Sequence, residues 1–266
     1  SRIPTAKPGF ITSARQAQLI QYVVQGNWRS TINPVGPAKN RNPLGLGGAE
    51  IIKAAQENEL SATLSTYTKS ELAAKAKTKE LVFYALGKQG GTSGKVYFGL
   101  NKNTNYADMY GATSPDLTAN ETAIVGVMNN EAGNVGKGIG SASILKALQE
   151  GATVLDAYAV PSAKHPKGFL PKYYSQFGFV EVERIPYNES YLRDPAFGGS
   201  EEKYKRITRQ WKASGWDETK GNPDLVIMKW KGDENVRSTA TDTFISKGSD
   251  GLRGSGFEYV QARGGD

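Results

Sequence analysis

Two short stretches between Met128 and Tyr187 carry residue types and spacings that could do chemistry. The first, Asn134-Val135-Gly136-Lys137-Gly138-Ile139-Gly140-Ser141, sets three alternate glycines after an apolar run. It opens a segment with Ile144, Leu145 and Leu148 at helical spacing, and Gly151 stands where that helix would end. A loop free of side chains turns tightly and lets its backbone N–H groups converge on one point. A diphosphate placed there would gain charge-assisted hydrogen bonds and the positive end of the helix dipole. The dipole contributes only about 0.3–1 kcal/mol, so the N–H donors would do most of the holding. Spacing excludes two commoner phosphate loops. A Walker A loop needs four residues between Gly and Gly-Lys; only Asn134 and Val135 separate Gly133 from Gly136-Lys137, and Gly138 takes the Ser/Thr place. A dinucleotide fingerprint reads G-x-G-x-x-G, whereas Gly136 to Gly140 reads G-x-G-x-G. The plainer reading is a tight strand-to-helix turn, but three alternate glycines exceed what such a turn needs.

The second stretch is Leu170-Pro171-Lys172-Tyr173-Tyr174-Ser175-Gln176-Phe177-Gly178-Phe179. With both in hand, the chain resembles the GNAT superfamily of N-acetyltransferases. Val135-x-x-Gly138-Ile139-Gly140 is similar to that family's acyl-CoA loop, usually Arg/Gln-x-x-Gly-x-Gly/Ala. Tyr174-Ser175-Gln176-Phe177-Gly178-Phe179 is similar to the Tyr-x-x-x-Gly-Phe that ends a later helix, and one strand separates the two, in the family's order. The resemblance covers roughly residues 80–231, and its specific part is 122–187. Leu170 to Tyr174 and Asn222-Pro223-Asp224-Leu225-Val226 are also similar to acetyltransferase-like domains in phage-encoded proteins. Val135 departs from the pattern by standing where a basic or amide residue is usual; Lys137 can supply a compensating charge. The insertion from Pro161 to Lys167 is longer than usual.

The resemblance implies an α/β (α+β) fold, a mixed, mostly antiparallel central sheet flanked by helices. It implies direct transfer of an acetyl group from acetyl-CoA to an amine acceptor, with no covalent enzyme intermediate. Val135, Gly136, Lys137, Gly138, Ile139, Gly140 and Ser141 would then hold the diphosphate. Backbone groups of Val127, Met128 and Asn129 would hold the pantetheine and polarise the thioester carbonyl. Tyr174 would protonate the departing thiolate, with Tyr173 the alternative if the helix is rotated. A tyrosine near 10 and a thiol near 8.5 make that transfer uphill by roughly 2 kcal/mol, which proximity can offset. The plainer reading of Tyr174 is a core residue beside Tyr173 and Phe177.

A general base for the amine comes from three carboxylates, Glu121, Glu131 and Asp156, or from water. Glu121 and Glu131 flank the strand before the glycine loop, and Asp156 lies on the next strand; each also reads as a solvated or capping carboxylate. His165, the single histidine, sits in Lys164-His165-Pro166-Lys167 and reads as an exposed loop residue.

The elements that must position these groups change character along the chain. Ser13 with Gln16 opens a helix to Gly26, Ala49 to about Glu59 reads as a second, and Thr68 with Glu71 opens a third to about Thr78. Residues 27–48 read as a long loop on their prolines and glycines. From residue 80 the runs Leu81–Leu86 and Lys95–Leu100 predict an antiparallel hairpin. Thr122–Met128 predicts a third strand, followed by strands at Thr153–Val160, 179–185 and Leu225–Met228, with helices after the glycine loop and around 168–177. The expected organisation is an N-terminal arm and helical extension (1–79), an acyltransferase-like core (80–231), and a C-terminal tail or wrapping extension (232–266). Within 201–216, Tyr204, Ile207 and Trp211 share one helical face and the cations the others. That segment is either an amphipathic helix packed on the sheet or a surface for nucleic acid.

Composition narrows the classes. The 266 residues contain no cysteine and one histidine, which excludes disulfide scaffolds, thiolate metal sites, Cys nucleophiles and His-rich metal centres. No apolar run reaches the length of a membrane span, and no secretory leader pattern opens the sequence, so a cytoplasmic protein without membrane partners is expected. The formal net charge of +7 suits an acidic partner such as a phosphorylated cofactor or nucleic acid. Two further functions stay open beside the transferase: a non-catalytic binding or structural module of a larger protein, and a nucleic-acid-binding protein using 201–216. The acceptor itself, small amine or protein, is not written in the sequence.

Overall fold

A computed structural model describes residues 28–32, 80–88, 95–129, 139–197 and 199–232. The two apolar runs after residue 80 form β2 (Leu81–Lys88) and β3 (Lys95–Thr104), paired antiparallel with Leu81 opposite Asn101 and Leu86 opposite Val96. On the outer edge of β2 lies β1 (Trp28–Ile32), also antiparallel. Residues 27–48 therefore do not form a continuous loop. Five residues bounded by Pro/Gly-rich chain carry too little periodicity to read alone, and pairing with β2 is what makes them a strand. The three helices expected between residues 13 and 78, the glycine turn at 90–94, Glu131, the loop residues Val135 to Gly138 and the tail beyond 232 lie outside the described residues.

The remaining described strands are β4 (Glu121–Asn129), β5 (Val154–Tyr158), β6 (Phe179–Ile185) and β7 (Leu225–Trp230), and the described α-helices are α1 (Tyr106–Tyr110), α2 (Ile139–Gln149), α3 (Phe169–Ser175), α4 (Ser190–Arg193) and α5 (Glu201–Ala213). Seven strands form one sheet in the order β1-β2-β3-β4-β5-β7-β6. Every neighbouring pair is antiparallel except β4 and β5, which α2 connects as a crossover. The class is mixed α+β with a mostly antiparallel open sheet.

Alternation along the strands divides the core between two faces. On one face Phe98, Leu100, Ile124, Leu155, Ala157, Val226 and Met228 pack under α2 (Ile144, Leu145, Leu148) and α3 (Tyr174, with Phe177 just beyond it). On the other, Ala123, Val154 and Ile227 pack with Tyr106 and Ala112. Farther along this side, α5 lays Ile207 and Trp211 onto Leu192 and Trp216, with Tyr158 and Tyr187 against them. The amphipathic reading of 201–216 holds for its apolar face.

α1 falls between the predicted strands Lys95–Leu100 and Thr122–Met128, where the sequence predicts no element. Its start is nonetheless a cap by type: the Asn105 side chain accepts from the backbone N–H of Ala107 and Asp108.

Candidate functional site

The sheet opens where its one parallel pair ends. β4 and β5 are in register only at Ala123 with Val154 and Ile124 with Leu155. Beyond that, β4 continues along β3 to Asn129 opposite Val96, while β5 continues along β7 to Tyr158 opposite Leu225. The strands part after Ile124 and Leu155, so the β5-facing edge of Val125 to Asn129 has no described strand beside it. A bulge helps turn β4 away. Gly126 and Val127 together stand opposite Phe98, because Tyr97 pairs with Met128 and Gly99 with Val125. Gly126 takes φ +58°, a left-handed backbone that suits glycine at a bulge.

Asp156 is the first β5 residue past the last β4 partner, at the fork of this opening. It points to the Tyr106 side of the sheet, and the Tyr106 hydroxyl donates to its Oδ1 at 2.7 Å. Burial pushes the Asp156 carboxyl above the ordinary aspartate value, against the lowering effect of the Tyr106 bond. Burial and the Asp156 charge likewise push the Tyr106 hydroxyl well up, so it stays a donor. Tyr158, two residues on and thus on the same face, is raised by burial and then by Asp156.

Tyr174 approaches β5 from the opposite face. Its ring lies in the α2/α3 core, edge-on to Tyr173 at 5.5 Å and to Phe179 at 6.5 Å. Burial pushes its hydroxyl upward, followed by Tyr173 and by the charge of Asp156. The two groups therefore flank the same strand closely enough for one to feel the other. Gly168, which precedes α3, sets that helix against β5. A Cβ there would lie 2.6 Å from the Ala159 Cα, and its φ is +88°. Only a glycine lets the chain after the 161–167 insertion come so close.

Glu121 is not brought to the fork. It starts β4, at the far end from Asn129, and is 2% exposed. Lys229 Nζ bonds its Oε1 at 2.6 Å, Thr153 Oγ1 donates to Oε2 at 2.6 Å, and the Thr118 backbone and hydroxyl also donate to Oε1. Burial raises its carboxyl, but Lys229, Thr153 and Thr118 outweigh that and hold it below the ordinary value. Such a saturated ion pair ties β4 to β7 and takes no proton from an amine, which removes Glu121 from the candidate bases.

Val127 packs half-buried against the α2/α3 core, and Met128 and Asn129 are in β4 opposite Tyr97 and Val96. Ile139, Gly140 and Ser141 form the first turn of α2, directly after the undescribed part of the glycine loop. His165 is less exposed than its lysine neighbours promised. Its backbone closes a turn with Ser162 in both directions, and its ring stands edge-on to Phe169 at 5.3 Å. Among the described residues no three His, Asp or Glu side chains gather to hold a metal ion. No helix among them is long and apolar enough to cross a membrane.

Two site residues escaped sequence reasoning. Tyr158 was readable, since period 2 puts it on the Asp156 face. Tyr106 was not, because its bond to Asp156 spans 50 positions. Compared with known proteins, the chain matches no family model, no curated protein and no solved structure.

Proposed function

We propose that the chain is an acyl-CoA-dependent N-acyltransferase that moves an acetyl group from acetyl-CoA to an amine. The observation that carries this reading is the fork between β4 and β5, with Asp156 and Tyr174 flanking β5 on opposite faces. A strand edge with no described strand beside it offers N–H and C=O groups at peptide spacing, which suits the two amides of a pantetheine arm as an added strand would. The chain running from β4 toward α2 carries the glycines that would meet the diphosphate. The GNAT resemblance of residues 134–141 and 174–179 supports the same assignment, as do the single parallel pair and the mostly antiparallel sheet.

In the reaction, the amine nitrogen attacks the thioester carbonyl carbon and the C–S bond breaks as the tetrahedral intermediate collapses. Asp156 takes the proton released by nitrogen and later returns it to water; Tyr174 gives its proton to the sulfur and recovers one from solvent. The raised Asp156 carboxyl makes a stronger base than an exposed aspartate. The raised Tyr174 hydroxyl is a weaker acid. The same low-polarity surroundings also raise the thiol, so the gap between donor and acceptor widens less than the tyrosine shift alone implies.

Titration of the full chain with acetyl-CoA, followed by thermal denaturation, tests binding; no stabilisation at millimolar acetyl-CoA removes the reading. Thiol release with an amine panel tests turnover. Burial of Tyr174 within the core favours a second reading, a non-catalytic module that keeps the fold. That reading gains if acetyl-CoA binds and no amine releases thiol.

A further inference from the structure

Resting on the transferase reading, we infer that the acceptor is an organic ammonium with an aromatic or apolar body, received by tyrosines around Asp156 on the face away from α2 and α3. Asp156 is bonded to Tyr106, whose ring stacks on Tyr110 at 6.0 Å. Tyr110 meets Tyr191 edge-on at 5.6 Å, and Tyr191 meets Phe197 at 5.1 Å. Tyr158 lies close enough to feel Asp156, Tyr187 and Tyr191. Tyr106 thus touches the carboxylate directly, Tyr158 follows it on the same strand face, and Tyr110, Tyr191 and Phe197 continue the line of rings outward.

Tyr110 and Tyr191 are half-exposed, and Met109 and Phe197 beside them are exposed at 46% and 50%. Large apolar side chains left uncovered at the outer end of a line of rings that starts on a carboxylate match a ligand that is cationic at one end and apolar behind it. Tyrosine faces attract an ammonium within about 6 Å of the ring centroid, and the carboxylate adds a directed partner. The cation on α4 does not oppose this. Arg193 lies over the Tyr204 ring at 3.8 Å and is paired with Glu189 and Glu201. Glu183, another acid on this side, is occupied by the backbone N–H groups of Thr113 and Ser114. Bound this way, the ammonium gives one proton to Asp156, which passes it to water and is a carboxylate again when the attacking nitrogen releases its second proton.

The test titrates the full chain at pH 8, with and without CoA, using phenethylamine, butylamine and the zwitterionic amine 6-aminohexanoate, whose tail ends in a carboxylate, as probes. Phenethylamine should bind most tightly and 6-aminohexanoate least. Asp156→Asn, which preserves shape and the acceptor for Tyr106, should weaken phenethylamine at least tenfold and leave CoA affinity unchanged. Tyr110→Leu and Tyr191→Leu should each weaken phenethylamine more than butylamine. Equal affinity for all three amines, or phenethylamine binding unaltered in Asp156→Asn, overturns the inference. Phenethylamine binding that depends on Asp156 in a chain that ignores CoA leaves the cation site standing and removes the transferase instead.

Discussion

Asp156 and Tyr174 are ionisable groups raised by burial on either side of one strand, and each has a partner cost that predicts its mutant. Asp156→Asn keeps an oxygen for the Tyr106 hydroxyl and removes a carboxylate that the folded state disfavours. A folded-state value above the unfolded one means a contribution fully present at low pH and lost as pH rises through the raised value. Asp156→Asn is therefore expected to be at least as stable as the parent at pH 8, read by urea denaturation, while thiol release falls about 100-fold, the lower range for a general base. Tyr174→Phe keeps the ring packing, and its thiol release should fall by a similar factor with little change in melting temperature. An undiminished rate assigns Tyr174 to the core alone. Glu121 behaves oppositely. Its lowered carboxyl contributes stability that is full above the unfolded value near 4.3 and disappears as pH falls through the depressed folded one. Glu121→Gln strands Lys229 in a half-buried position, a loss of about 3 kcal/mol by analogy with broken buried pairs. Its acid-unfolding curve between about pH 5 and 2 should be flatter than the parent's.

At the scale of elements, the fork is made by β4 leaving β5 rather than by any single side chain. β4 can leave because the Gly126 bulge inserts one residue opposite Phe98, and because β3 and β7 satisfy the outer edges of both diverging strands. The approach of α3 is the second requirement. Gly168→Ala forces a Cβ into the Ala159 backbone from a left-handed φ, and neither the strand nor the helix start can yield without moving the other. A cost of about 1–3 kcal/mol follows from overpacking alone, and the positive φ adds to it. Thermal denaturation should show a drop of roughly 2–4 °C per kcal/mol for a domain of this size. Because α3 carries Tyr174, thiol release should fall further than the loss of folded protein explains.

For the whole molecule, a basic chain with an undivided sheet and an opening at its one parallel pair suits a polyanionic cofactor with a peptide-like arm. Acetyl-CoA at 100 times its dissociation constant should stabilise the folded state by about 2.7 kcal/mol, a rise of roughly 5–11 °C. Raising the salt concentration should weaken that binding, since diphosphate and protein charges attract through solvent. The exposed cations of α5 are a separate charge feature; Lys205 already pairs with Glu201, and the helix is held by its buried face.

What the sequence by itself determined was local. Apolar runs and alternation located β2 to β7, Phe179–Ile185 to the residue, because period 2 and period 3.6 are written into consecutive positions. The Tyr204, Ile207 and Trp211 spacing likewise announced the buried face of α5. Tyr174 and Asp156 were legible as candidates by type and motif, yet their surroundings were not. Tertiary structure alone decided that Trp28–Ile32 is a strand, since a five-residue edge takes its conformation from the neighbour that pairs with it. It alone separated two look-alike carboxylates, because Lys229 reaches Glu121 across 108 positions and Tyr106 reaches Asp156 across 50. Charge state depends on such distant partners and on burial, and neither is encoded in the residues beside the acid.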